Sequence, residues 1–199
     1  MAKILLIQPN RWGRGITSIW IPSHTGILKS RNHDVKLFDC TFYKNWAEGE
    51  LDYNTQNQQY QPTEYSKLVK YIESDIFDEF QKLVNSFEPD IIFWSAISSH
   101  IHGEGEYANI QYGNMLVEKI FTSAKKIAGG LQPTGEPKQM LTRFPNVDFF
   151  IMGESELVLT ELADKIDQRK ELLTTNGLIW KKDGKIIINK PQQIISDMD

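Results

Sequence analysis

Residues 3–10 read KILLIQPN, in which four consecutive apolar side chains are followed by a polar turn. A short run that is apolar at successive positions is typical of a strand buried on both faces, as in a parallel sheet covered by helices. Runs of similar length recur at residues 35–38, 91–94, 126–128 and 147–152. The sequence therefore predicts five buried strands, the first of them within residues 3–10.

Segments with helical periodicity separate these runs. In the clearest one, residues 65–87, apolar side chains recur every three or four positions, with Thr63 as the predicted N-cap and Pro89 beyond the end. Further helices are predicted at residues 22–31, 107–121 and 137–144 and after the fifth strand. Because strands and helices alternate and crossovers are right-handed, the chain should have an α/β fold. We expect a doubly wound, five-stranded parallel sheet, Rossmann or flavodoxin-like, in the order 2-1-3-4-5.

The pattern changes after about residue 170. Apolar residues 178–180 and 186–188 flank Asp183 and Gly184, and Asp-Gly between two apolar runs indicates a β-hairpin. We therefore predict a Rossmann-like domain over residues 1–170, followed over residues 171–199 by the hairpin and the start of a linker.

Composition limits the kind of partner. The net charge is −4 and the charges are dispersed, which argues against a nucleic-acid or anionic-membrane partner. No apolar run approaches the ~20 residues of a membrane span. Cys40 is the single cysteine. We expect it to be a buried or half-buried thiol without disulfide or metal, in a cytoplasmic protein.

In an open parallel sheet, ligands bind beyond the carboxyl ends of the strands. The residues at those ends that suit a ligand are Asn10, Ser95, Ser98, Gly129, Gly130, Gly153 and Glu154. Each also has an ordinary structural interpretation, since paired glycines suit a tight turn, serines suit turns and caps, and acids suit a helix N-terminus. The residues alone leave these alternatives open.

The histidines form no recognisable catalytic or metal-binding set. His33 is predicted to be structural, at the turn after the first helix, and His24 lies inside that helix. His100 and His102 lie in a loop with glycines, and their spacing is not specific for a metal. We predict no catalytic residue and no metal ligand in this chain.

Several segments resemble, in the same order along the chain, the cobalamin-binding domain of radical S-adenosylmethionine (SAM) enzymes. Residues 28–39 are similar to the motif LKxxGHxVxLxD, with Asn32 in place of glycine, and residues 89–92 to the motif PDhh. Residues 129–134 are similar to GGxHPT, and residues 147–156 to VDhhhxGExE. Residues 177–185 resemble the closing hairpin of that domain, and residues 195–199 resemble its linker to the radical SAM barrel.

The resemblance implies that the chain binds cobalamin, with the corrinoid lying over the carboxyl edge of the sheet. It adds Gln132, which stands where histidine is common, Pro133 and Thr134 to the candidate cofactor-binding residues. The DxHxxG motif, whose histidine ligates cobalt in methionine-synthase-like domains, does not follow the first strand. No protein histidine is therefore expected below the cobalt.

In that family, SAM and a 4Fe-4S cluster belong to a downstream radical SAM domain, which would be a partner of this chain. The chain alone is then not expected to be catalytic, and its parent would use the corrinoid for methyl transfer or related radical chemistry. The alternative is a degenerate flavodoxin-like domain that serves as a substrate-recognition or docking surface without cobalamin. Residues 45–62, a long segment rich in Asn, Gln and Tyr, favour that role because long loops are usually functional or mobile.

Overall fold

The computed structural model describes residues 1–11, 18–47, 69–95 and 108–192. Within these ranges, strands alternate with helices as the sequence predicts. In chain order the elements are β1 (Lys3–Gln8), α1 (Trp20–Ser30), β2 (Asp34–Asp39), α2 (Ile76–Phe87), β3 (Ile91–Ser95), α3 (Ala108–Val117), β4 (Lys125–Gly130), α4 (Leu131–Gly135), α5 (Pro137–Arg143), β5 (Phe149–Met152), α6 (Ser155–Asp167), β6 (Leu178–Lys182) and β7 (Lys185–Ile188).

One sheet contains all of these strands, in the order β2-β1-β3-β4-β5-β6-β7. Neighbours from β2 to β5 pair in parallel, which confirms the five-stranded parallel sheet and its 2-1-3-4-5 order. The hairpin is also confirmed as β6 and β7, and β6 pairs antiparallel with β5. The hairpin therefore extends the parallel sheet beyond β5, an attachment that the sequence pattern does not reveal.

Strand β1 shows why its residues are apolar at every position. Leu5 and Ile7 pack in the core beneath α2, α3 and α5, whereas Ile4 and Leu6 pack in the core beneath α1 and α6. All four side chains are fully buried. Since helices cover both faces of the parallel strands, the strand edges remain the places where a ligand can reach the sheet.

Helix α2 begins later than the periodicity over residues 65–87 predicts. Its N-cap is Asp75, whose side chain accepts hydrogen bonds from the backbone N–H groups of Phe77 and Asp78. These bonds satisfy two of the donors that a helix leaves unpaired at its start, so the helix begins at Ile76.

Ile72 fits the helical period but is not helical. It pairs with Tyr43 in an isolated parallel bridge, and its N–H donates to the carbonyl of Phe42 at 2.7 Å. A pairing with a distant segment thus replaces the helical hydrogen bond. The predicted cap Thr63 lies outside the described residues.

Two aspartates at the amino edge of the sheet account for two positions of the sequence motifs. The Asp90 carboxylate accepts a hydrogen bond from the N–H of Lys3 at 2.8 Å, and the Asp148 carboxylate accepts one from the N–H of Lys126 at 2.8 Å. Each satisfies a backbone donor near the beginning of a neighbouring strand. The aspartates of PDhh and VDhhhxGExE therefore stabilise the sheet at the edge opposite the candidate site.

No helix in the described ranges is long and apolar enough to cross a membrane.

Candidate functional site

The parallel registers bring the carboxyl ends of the central strands together. Ser95 at the end of β3 pairs with Gly129, and Gly130 at the end of β4 pairs with Met152. Residues that are far apart in sequence therefore lie at one edge. Ser98 falls outside the described residues, so its place at this edge stays a prediction.

A threonine joins the turns after β4 and β5. The Thr134 hydroxyl donates a hydrogen bond to the carbonyl oxygen of Gly130 at 2.7 Å and accepts one from the N–H of Gly153 at 2.7 Å. Gly130 has φ 134° and Gly153 has φ 74°, both in regions that favour glycine. We call this arrangement the Thr134 clamp. It gives the threonine of the GGxHPT-like segment a defined structural role.

The adjacent glycines have different surroundings. A Cβ at Gly129 would lie 3.0 Å from the Cβ of Ser155 on α6 and 3.1 Å from that of Ile151 on β5, so a side chain there would crowd both neighbours. At Gly153, a Cβ would meet no atom within 4 Å among the described contacts. The turn after β5, rather than Gly129, therefore borders open space.

The remaining candidates differ in exposure. Asn10 is largely buried, and its side-chain N–H donates to the Thr41 hydroxyl at 3.1 Å, which ties the end of β1 to the segment after β2. Ser95 and Pro133 are buried, whereas Gln132 is half-buried and Glu154 is exposed. Thr134, Gly153 and Glu154 are thus the exposed candidates.

His24 lies at the same end of the fold, within α1 as predicted. It is 2% exposed; its Nδ1 lies 2.7 Å from the Trp20 carbonyl oxygen and its Nε2 lies 2.8 Å from the Ser155 hydroxyl. Both ring nitrogens are therefore engaged inside the protein. Burial lowers the pKa of His24, and the nearby Glu156 carboxylate opposes that shift.

His33 is buried at the opposite edge. Its Nδ1 accepts a hydrogen bond from the N–H of Ala2 at 3.3 Å, and its Nε2 lies 3.0 Å from an Asp164 carboxylate oxygen. The structural role predicted for His33 is thereby confirmed. Both histidines join the α1 side of the fold to α6, one at each end of that helix.

Sequence reasoning missed an aromatic cluster beside the end of β1. The Arg11 guanidinium lies 4.9 Å from the ring centroid of Trp46 and 5.1 Å from that of Tyr112, and its Nε donates to the Trp46 carbonyl at 3.0 Å. Trp46 is 2% exposed, although it falls within residues 45–62, which the sequence predicts to be a long irregular loop. The one feature of the sequence that could have indicated this buried cluster is a tryptophan at the start of a polar segment. Residues 48–68 lie outside the described ranges.

Cys40 directly follows β2 and is fully buried, as predicted, and its thiol is free. Burial raises its pKa well above the usual value, and the Asp39 carboxylate adds to the effect. In the part of the chain that the structure describes, no three His, Cys, Asp or Glu side chains are grouped so as to hold a metal ion.

Comparison with known proteins places this geometry in context. No protein-family profile matches the chain. An uncharacterized methyltransferase of Pyrococcus horikoshii is 28% identical over 134 residues, which are 67% of this chain and 28% of that protein. An anaerobic magnesium-protoporphyrin IX monomethyl ester cyclase of Synechocystis is 30% identical over 73 residues, which are 37% of this chain.

The fold matches solved radical SAM enzymes along the whole chain. The methyltransferase TsrM of Kitasatospora setae, with cobalamin and a [4Fe-4S] cluster bound, superposes with a TM-score of 0.69 at 16% identity, covering 100% of this chain and 30% of that one. The chain shares its fold with cobalamin-binding radical SAM enzymes. OxsB, with aqua-cobalamin and SAM bound, gives a TM-score of 0.56 at 16% identity over 98% of this chain and 23% of that one. The chain thus spans less than a third of each of these enzymes.

The carboxyl edge has features that fit the corrinoid of such an enzyme. Leu131, directly after β4, is 66% exposed, and Ile19, just before α1, is 83% exposed. Exposed aliphatic side chains at the same edge of the sheet as an exposed turn and a carboxylate suit a ligand with a broad apolar ring and amide side chains. His24 does not fit as a ligand of the cobalt, because both of its ring nitrogens have partners within the fold.

Proposed function

We propose that this chain is a cobalamin-binding module of a larger radical SAM enzyme. The fold it shares with TsrM and OxsB supports this. The observation that carries the proposal is the Thr134 clamp, which holds the Gly130 and Gly153 turns together at the carboxyl edge, where the Gly153 turn borders open space. Two turns with positive φ, fixed to each other by one hydroxyl, form a rigid rim against which a large planar ligand can lie.

The residues assigned to the corrinoid are among those predicted from the sequence, and Leu131 is added because it is 66% exposed. The backbone at Gly130, Gly153 and Glu154 would line the ring, with Leu131 adding an apolar contact. Gln132, which is half-buried, would contact the amide portions, whereas Ser95 is buried at 4% exposure. Bound cobalamin supplies a cobalt atom that can carry a methyl group. The parent enzyme is accordingly proposed to perform methyl transfer, as its relatives named methyltransferases suggest.

A titration of the purified chain with hydroxocobalamin, followed by absorbance, tests the proposal. Gly130→Leu should weaken binding by about tenfold or more, because a bulky side chain would enter the space beside the clamp. Gly184→Leu is the matched control: Gly184 also has positive φ, at 78°, but lies in the hairpin turn away from this edge. Both variants carry a backbone strain of about 1 kcal/mol or more. Gly130, at φ 134° and ψ −151°, is the more strained position, so circular dichroism must show that Gly130→Leu is folded before the two affinities are compared.

Equal affinity in wild type and Gly130→Leu would remove the site from this turn. His24→Ala should leave the cobalt-ligation spectrum unchanged, and a changed spectrum would show that His24 is a ligand after all. Failure to bind cobalamin, both by the wild-type chain and by a longer protein that contains the radical SAM domain, would overturn the proposal.

A further inference from the structure

Strand β7 is the last strand on its side of the sheet, and among the described residues it pairs with β6 alone. The N–H of Asn189 donates to the carbonyl of Leu178 at 2.9 Å, so the backbone of Asn189 faces β6. In an antiparallel ladder, successive residues direct their N–H and C=O groups to opposite sides. The backbone groups of Ile186 and Ile188 therefore point away from β6 and form an open edge with both donors and acceptors.

The side chains of this edge favour an extended partner. Residues 186–188 are three consecutive isoleucines, and β-branched side chains pack well on a pleated surface. Ile186 packs partly against the core beneath α5, whereas Ile188 is 37% exposed. An added strand would cover Ile188 while its backbone pairs with the outward groups of β7.

Both ends of β7 are fixed before any partner binds. At the carboxyl end, Asn189 accepts a hydrogen bond from Nε1 of Trp180 at 3.2 Å and donates to the carbonyls of Leu173 and Thr175 at 2.7 and 2.6 Å. At the other end, the Asp-Gly turn has positive φ at both residues, as a tight hairpin requires. Because the edge is already extended, adding a strand costs little ordering of the protein.

The lysines around this edge determine which kind of strand can pair with it. Four lysines and one aspartate lie in residues 178–190, although the whole chain has a net charge of −4. The lysine side chains are exposed, and none of them forms an ion pair with a described residue. Lys185 begins β7 and Lys190 lies just beyond its end. Opposite charges on neighbouring strands stabilise their pairing, so a strand with an acidic residue at each end is favoured.

The same lysines disfavour a second copy of this chain as the partner. Two copies of β7 paired through their outward groups would place two positively charged hairpins side by side. Like charges on paired strands are destabilising, and lysine on an edge strand is a common device against such self-association. The charge of the hairpin therefore both excludes one occupant and selects another.

We propose that the outer edge of β7 is a docking site for an extended acidic segment of a partner protein. The segment adds to the sheet as an antiparallel strand, with apolar residues opposite residues 186–188 and carboxylates near Lys185 and Lys190. The inference goes beyond the proposed function and does not depend on it, because no residue of the Thr134 clamp belongs to this edge.

Amide NMR of the isotopically labelled chain, titrated with a synthetic peptide, tests the proposal. The acidic probe is acetyl-Gly-Glu-Thr-Val-Val-Val-Glu-Gly-amide, and the basic probe carries lysines in place of its glutamates. The acidic probe should bind with a Kd below about 1 mM, and the basic probe at least about tenfold more weakly. The acidic probe should slow hydrogen exchange at the amides of Ile186 and Ile188 more than at Ile187, whose N–H already faces β6.

Ile188→Pro removes a donor from the edge without removing a bond from the sheet. The N–H that it eliminates faces outward, and proline is tolerated on edge strands for that reason. With the fold verified by circular dichroism, affinity for the acidic probe should fall at least about tenfold. Ile188→Val is the matched control, because it keeps the N–H and a β-branched side chain and should bind as the wild type does.

Charge reversal tests the choice of partner without changing the backbone. The double variant Lys185→Glu with Lys190→Glu should prefer the basic probe by about tenfold, and it tests the proposal even if Ile188→Pro does not fold. A double variant that keeps the wild-type preference would overturn the proposal.

Three other results would also overturn it. The first is equal affinity of the wild type for the two probes, or no binding of the acidic probe up to about 5 mM. The second is unchanged affinity in folded Ile188→Pro. The third is protection of the Ile186 and Ile188 amides, without any probe, in a longer protein that contains the radical SAM domain, because the edge would then be covered within one polypeptide.

Discussion

Replacing Gly113 by alanine should destabilise the protein, although alanine normally stabilises a helix. Gly113 lies within α3, directly against the side chain of Trp94 on β3. A Cβ at this position would overlap Cδ1 and Nε1 of the indole and lie 2.6 Å from Cε2. Carbon atoms in good contact are about 3.5–4.0 Å apart. The Trp94 ring is fully buried, so it cannot move aside into solvent.

Two opposing effects set the change in the free energy of unfolding. Overpacking a well-packed core costs about 1–3 kcal/mol, and the overlap with a rigid ring places this variant toward the upper end. Alanine in place of a helical glycine contributes about 1 kcal/mol in the other direction. The net loss in the free energy of unfolding should be about 2 kcal/mol, which for a domain of this size lowers Tm by about 4–8 °C.

Gly26→Ala is the matched control for this experiment. Gly26 is also inside a helix, α1, but a Cβ there would meet no atom within 4 Å. That variant should gain about 0.5–1 kcal/mol from helix propensity alone. Urea and thermal unfolding followed by circular dichroism should therefore move in opposite directions for the two variants. A Gly113→Ala protein as stable as wild type would refute the assigned contact between α3 and Trp94.

Two further predictions concern single residues. Asp75→Ala should lower the free energy of unfolding by about 1 kcal/mol, because the side chain caps the N–H groups of Phe77 and Asp78. The control is Asp78→Ala, which changes an exposed carboxylate in the first turn that is not the N-cap and should therefore cost less. Equal losses of stability in urea denaturation would refute the assigned start of α2. Cys40 should react with a thiol reagent far more slowly in the native protein than in urea, because burial excludes the reagent and raises the thiol pKa. Comparable reaction rates in the two conditions would show that the thiol is accessible in the native protein.

Much of the fold could be predicted because its signals are local. A strand covered on both faces must be apolar at successive positions, and β1 is such a strand, as the burial of residues 4–7 shows. The order of the parallel strands follows from the handedness of the crossovers, which does not depend on which side chains meet. The hairpin is marked by Asp183 and Gly184, both of which have positive φ at its turn.

The start of α2 is a place where the apolar periodicity of the sequence does not predict the structure. The apolar period continues through Ile72, but Ile72 is 43% exposed whereas Ile76 is fully buried. The difference arises because Ile72 pairs with Tyr43 and Asp75 caps the helix after it. The pairing with Tyr43 cannot be predicted from the periodicity of one segment, since it depends on a partner 29 positions away.

The candidate site, too, could be predicted only in part from the sequence. The sequence by itself placed Gly130, Gly153 and Thr134 at strand ends, and parallel strands necessarily bring such ends to one edge. Only the tertiary structure decided that the Thr134 hydroxyl bonds both turns, that Gly129 packs closely against Ser155 and Ile151, and that His24 contacts Ser155. His24 and Ser155 are 131 positions apart. Hydrogen bonds are short and directional, so whether two such residues meet is set by how α1 and α6 pack on the sheet, and no pattern in either segment contains that information.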